Sequence, residues 1–91
     1  MSVIGFDEAE EAVRIANDSI FGLAGAVWSN NINTAHKVAR AVRVGTMGIN
    51  NYFGGDITVP FGGFKQSGIG REGSQDGIHE FLEMKYIAVE W

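Results

Sequence analysis

The stretch from Pro60 to Glu72, PFGGFKQSGIGRE, limits this chain more than any other feature. Four of its thirteen residues are glycine (Gly62, Gly63, Gly68 and Gly70), and ten of the chain's 13 glycines fall between Gly45 and Gly77. Glycine at that density means backbone in conformations other residues resist, or backbone pressed against a neighbour. Pro60 fixes φ at the entrance. Phe61, Phe64 and Ile69 rule out a solvated linker, which would carry Ser and Gly without large apolar groups. Lys65, Arg71 and Glu72 place charge where the chain is least regular. An ordered loop of this kind serves a site or an interface.

The rest of the chain supplies regular structure around that loop. Ser2–Gly5 is a short apolar strand candidate. Asp7 stands three residues before Glu10, the spacing of a capping box. Ala9, Ala12, Val13 and Ala16 then share one helical face. Glu10 and Arg14 are spaced for an i,i+4 pair, and Asn17 and Asp18 close the helix. Leu23–Ser29 reads as a buried strand, with small residues that permit close packing. Asn30 and Asn31 give a turn and a cap before a second helix carrying Ile32, Ala35, Val38, Ala39 and Val42. Val44–Asn50 is a third strand and 51–59 a loop. A last helix spans about 74–83. Residues 85–91 alternate, with Ile87, Val89 and Trp91 on one face.

Strand, helix, strand, helix, strand within fifty residues predicts an α/β fold with a parallel sheet. In 91 residues this is one small domain. The net charge of −4, with bases scattered along the chain, argues against a nucleic-acid binder. No apolar run approaches the roughly 20 residues of a membrane span. No basic segment followed by an apolar core opens the chain, so the expected location is cytoplasmic. There is no cysteine. Disulfides, thiolate zinc sites and thiol catalysis within the chain are thereby excluded.

No self-contained catalytic set is visible. His36 lies at the edge of a helix face without a second ligand at metal spacing, and reads as a surface histidine. Ser67 and His79 have no triad spacing. Gly68–Gly73 spells G-x-G-x-x-G, but it does not directly follow a strand, and Glu72 would set a carboxylate where a pyrophosphate should sit. Tight turns and close packing explain those glycines better. Three functional classes remain open: part of an enzyme, an assembly module that docks residues 85–91 by strand addition, and a small anion-binding module.

PFGGFKQSGIGRE resembles the C-terminal signature of the aldehyde dehydrogenase superfamily. Three further blocks resemble that family in the same order: FDEAEEAVRIANDSIFGLAGAVWS (Phe6–Ser29), VGTMGINN (Val44–Asn51) and GIHEFLEMKY (Gly77–Tyr86). The resemblance covers essentially the whole chain. It implies a partial Rossmann-like parallel sheet with flanking helices, as a C-terminal part of the catalytic domain (residues 1–83), followed by an oligomerisation strand (84–91). It also implies a tail piece of a much longer enzyme, with Met1 internal to it. The nucleophilic cysteine and the NAD or NADP site would lie upstream, and the partners would be a small aldehyde and further copies in a homo-oligomer.

By the same resemblance, Glu72 matches a proton-relay carboxylate, whereas the residues alone allow it to cap the last helix or to pair with Lys65 or Arg71. Phe61 matches an aromatic of the substrate tunnel, or anchors the loop in the core. Gly55 matches a substrate-loop position often held by a bulkier residue, so glycine would widen the entrance. Lys65 and Gly68 match positions whose backbone carbonyls hold a monovalent cation in some betaine aldehyde dehydrogenases; a salt bridge by Lys65 is the simpler reading. Arg71 and Glu83 match a salt-bridge network near the subunit interface, to which Ile87 and Val89 would add apolar contact. The ending REGSQDGIHEFLEMKY is most similar to semialdehyde dehydrogenases such as succinate-semialdehyde dehydrogenase. Residues 51–59 hold no Arg or Lys and do hold Asp56, so any cation for a substrate carboxylate would come from elsewhere.

Overall fold

A parallel pair of strands joined by a helix forms the centre of the molecule. The computed structural model describes residues 1–52 and 55–91. Its elements are α1 (Ala9–Asn17), β1 (Phe21–Gly22), β2 (Ala24–Val27), α2 (Ile32–Ala41), β3 (Thr46–Ile49), β4 (Phe64–Lys65) and α3 (Asp76–His79). β2 and β3 run parallel, with Ala24 opposite Thr46 and Val27 opposite Ile49. Parallel strands need a crossover, and α2 provides it. The α/β expectation with a parallel sheet holds.

Asn31 starts α2 by accepting from the amides of Asn33 and Thr34 through its side chain. That satisfies two of the donors a helix start leaves unpaired. Ala35 on the inner face of α2 is the one fully buried apolar side chain among the described residues. α1 packs beside α2. Asn17 locks the two together: its Nδ2 donates to the Ala41 carbonyl at 2.9 Å and its Oδ1 accepts the Arg43 amide at 2.7 Å.

β1 and β4 add an antiparallel pair, Phe21 opposite Lys65 and Gly22 opposite Phe64. Two further bonds extend it. The Gln66 amide donates to the Ile20 carbonyl at 2.9 Å, and the Gly22 amide to Ser67 Oγ at 2.9 Å. The glycine-rich loop is thereby fastened to the segment between α1 and β2.

Several expectations need correction. Residues 2–5 form no strand and are exposed, because no described strand lies beside them. The N-cap of α1 is Glu8, without a side-chain cap, and it is Glu11 that accepts the Asp7 amide, at 3.2 Å. The box expected of Asp7 and Glu10 therefore does not form, and the N-cap falls one residue later. Arg14 pairs with Glu11 at 3.5 Å instead of Glu10. The last helix shrinks to α3, followed by single turn bonds from Phe81 to Ile78 and from Leu82 to His79. Phe81 is 89% exposed; a short helix without a surface to pack on does not propagate. Residues 84–91 are exposed and join no ladder among the described residues.

The accessible surface is 7902 Å², against about 5,200 Å² for a compact protein of 9.8 kDa. The Cα radius of gyration is 17.8 Å, against about 12 Å for a compact domain of this length. The exposed apolar residues of the two ends, Val3 and Ile4 at one and Tyr86, Ile87 and Val89 at the other, account for part of that excess.

Candidate functional site

The glycine-rich loop folds back on itself at Phe61 and Glu72. The Phe61 amide donates to the Glu72 carbonyl and the Glu72 amide to the Phe61 carbonyl, each at 2.8 Å. The two residues form an isolated antiparallel bridge. Residues directly opposite in such a pair present their side chains on one face, so the aromatic ring and the carboxylate stand side by side.

Two cavities meet at this pair. One, of about 400 Å³, is lined by Gly55, Asp56, Val59, Phe61, Glu72 and Gly73. The other, of about 380 Å³, is bordered by Leu23, Ser67, Arg71 and Glu80 together with Phe61 and Glu72. Three residues singled out in the sequence, Gly55, Phe61 and Glu72, therefore come together on one wall. Phe61 is 39% exposed, which makes it a lining residue and not a core anchor.

Glu72 is exposed. Among the described residues its carboxylate bonds neither to Lys65 nor to Arg71, and it does not cap α3. Lys65 Nζ instead donates to the carbonyls of Asn17, the last residue of α1, and Ser19, at 3.0 and 2.9 Å. The ammonium there also complements the negative end of the helix. Arg71 Nη1 donates to the carbonyls of Gly63 and Gly70. Both cations of the loop are thus directed at the chain's own backbone.

The neighbouring wall is held by a turn that sequence reading passed over. Asp56 Oδ1 accepts the Thr58 hydroxyl at 2.7 Å and the Thr58 amide at 2.8 Å. The pattern Asp-x-Thr is the available signal for such a turn. The Thr58 hydroxyl, and secondarily its amide, hold the Asp56 carboxyl below its ordinary range. A depressed carboxyl stabilises its turn above the unfolded value and loses that support as pH falls through the folded one. The Ser74 amide reaches the Ile57 carbonyl at 2.9 Å and ties this turn to the far side of the loop.

The remaining sequence candidates lie elsewhere. The Lys65 carbonyl accepts the Gly68 amide at 3.3 Å inside a tight turn, with Lys65 at φ 55° and Gly68 at φ 112°. One of the two carbonyls matched to a cation site is thereby already engaged. No group of three or more His, Cys, Asp or Glu suited to a metal occurs among the described residues. Arg71 and Glu83 form no ion pair with each other there. Ile87 and Val89 are 71% and 69% exposed at the C-terminal end. The G-x-G-x-x-G spelling follows two-residue β4 and precedes four-residue α3, so no βαβ unit frames it among the described residues. No described helix is long and apolar enough to cross a membrane.

The aldehyde dehydrogenase family model matches residues 1–87. The chain belongs to the aldehyde dehydrogenase family. Among curated aldehyde dehydrogenases it is 46% identical over 85 residues to the NADP/NAD-dependent enzyme PuuC of Escherichia coli, covering 93% of this chain and 17% of that protein. Among solved aldehyde dehydrogenases, KauB from Pseudomonas aeruginosa superposes with a TM-score of 0.89 at 55% identity, over 93% of this chain and 17% of that one. Betaine aldehyde dehydrogenase from Staphylococcus aureus, in complex with NAD+, gives 0.85 at 48% identity, over 88% and 16%. The chain spans about a sixth of the length of these aldehyde dehydrogenases.

Proposed function

We propose that this chain supplies one wall of the active site of an NAD(P)-dependent aldehyde dehydrogenase and that Glu72 is its proton-handling group. The supporting observation is the Glu72 carboxylate itself. It stands beside Phe61 where two cavities meet, and both cations of its loop are bonded elsewhere. A carboxylate without a partner among the described residues, at a cavity wall, is available to a water molecule.

The complete enzyme would oxidise an aldehyde to a carboxylic acid. A cysteine outside this chain would form the thiohemiacetal, and bound NAD(P) would supply the hydride acceptor. Water would then attack the resulting thioester, with Glu72 as an accessory relay that helps carry its proton away. Phe61 lines the approach of the aldehyde, and Gly55 leaves that approach wide for want of a side chain. Residues 84–91 act as an oligomerisation strand, with Ile87 and Val89 packing against another copy.

The reading requires the isolated 91-residue chain to be inactive, since it holds no thiol to bear the acyl group. NAD(P)H formation with a panel of aldehydes should be absent for this chain and present for the complete polypeptide that carries it. Turnover by the homogeneous chain alone, or none by the complete polypeptide, contradicts the proposal.

A further inference from the structure

The antiparallel register that pairs Phe61 with Glu72 would next pair Gly63 with Gly70, two residues inward on each side. That rung is missing. Gly70 sits at φ 83°, outside strand geometry, and neither amide bonds across the gap. In its place stands the Arg71 guanidinium. Nη1 donates to the Gly63 carbonyl at 3.1 Å and to the Gly70 carbonyl at 2.6 Å. The guanidinium carbon lies 5.6 Å from the centre of the Phe64 ring, a cation–π contact that steadies it.

Two neighbours are shaped to this arrangement. A Cβ on Gly62 would meet the Gly70 carbonyl at 2.5 Å and Arg71 Cδ at 2.7 Å, so glycine is needed both for the close approach of the two backbone segments and for the side chain lying across them. The Arg71 amide donates to Glu80 Oε1 at 3.2 Å, and the same carboxylate sits 3.0 Å from the place a Gly70 Cβ would take. The residue's main chain and side chain are thus fixed independently, immediately before Glu72.

We infer that Arg71 is a positioning residue for Glu72: its guanidinium substitutes for the missing Gly63–Gly70 rung and holds the Phe61–Glu72 rung closed. The inference rests on Glu72 as the proton-handling group. Without the staple, two carbonyls face each other across an open neck, and the adjoining rung splays. The Glu72 carboxylate then loses its fixed place on the wall, and misplacement by about 1 Å costs on the order of 100-fold in a positioned reaction.

The test uses the complete enzyme with Arg71→Gln, Arg71→Lys and Glu72→Gln. Hydrogen exchange reads the Phe61 and Glu72 amides, and rapid-mixing kinetics separate hydride transfer from deacylation. Arg71→Gln should speed exchange of both amides about tenfold, slow deacylation about tenfold or more, and leave hydride transfer within about twofold. Arg71→Lys, whose nitrogen stops one bond short of Nη1, should fall between. It is read alone if the glutamine variant does not fold. Wild-type protection of both amides in the readable variant overturns the inference, whatever the rates. Glu72→Gln separates the two ideas: should it deacylate normally while Arg71→Gln loses protection, the relay reading fails and the staple stands.

Discussion

Residues 24–49 and residues 60–72 both pair their backbone amides and carbonyls, by opposite means. In the first region repetition does it. Four strand pairs and a ten-residue helix satisfy most of the backbone, and the side chains of Ser29, Asn31 and Asn17 finish the two ends of α2. In the second region individual residues do it. Arg71 spans two carbonyls, Ser67 accepts the Gly22 amide, and Lys65 reaches back to Asn17 and Ser19 from a left-handed backbone. A repeating unit tolerates the loss of any single member. A loop held by named side chains does not, but it can present a carboxylate that no repeating element would leave unpaired.

The sharpest way to break this comparison is at the contact between the regions. Gly45 runs against the Gly62 carbonyl so closely that a Cβ has no room. Gly45→Ala should cost about 3 kcal/mol or more, since the obstruction is backbone and cannot swing aside. Gly5→Ala, with nothing within 4 Å, should leave the thermal midpoint of the complete protein unchanged. Equal midpoints for the two variants would show that the loop is not pressed on the sheet.

Lys65→Met probes the loop's tie to α1 and should cost about 2 kcal/mol through two lost charge-assisted bonds. Chemical denaturation measures it. A loss below about 0.5 kcal/mol would mean that the β1–β4 pair and the Ser67 bond hold the loop unaided.

The smallest effect on stability belongs to the C-terminal end. Stopping the chain at Glu83 should leave the rest within about 0.5 kcal/mol of its original stability. Light scattering should meanwhile show self-association falling away, because an unpaired strand with one apolar face is what recruits a second chain. Equal association in the shortened chain would place the contact elsewhere.

The same contrast explains what the sequence disclosed. α1, α2, β2 and β3 follow from apolar spacing, and the Asn31 cap from its residue type. The pairing of Phe21–Gly22 with Phe64–Lys65 was invisible, because two-residue strands carry no period. The shift of the α1 cap from Asp7 to Glu8 turns on one residue among four acidic ones. α3 is shorter than its apolar residues suggest, since Phe81 and Leu82 stay largely exposed. At the site, Phe61, Gly55 and Glu72 became candidates through family resemblance, and the structure places them along one cavity wall. The partners of Lys65 and Arg71 were not legible: charge alone suggested salt bridges, and the loop's geometry turned both cations onto carbonyls.

The central claim, that Glu72 handles the proton in thioester hydrolysis, is tested most directly by rapid mixing of the complete Glu72→Gln enzyme with aldehyde and NAD(P)+. The account predicts an initial burst of NAD(P)H at the wild-type rate, followed by a steady state slowed about 100-fold. A steady state at the wild-type rate, with the burst unaltered, would contradict it and leave Glu72 as a residue of the loop's framework.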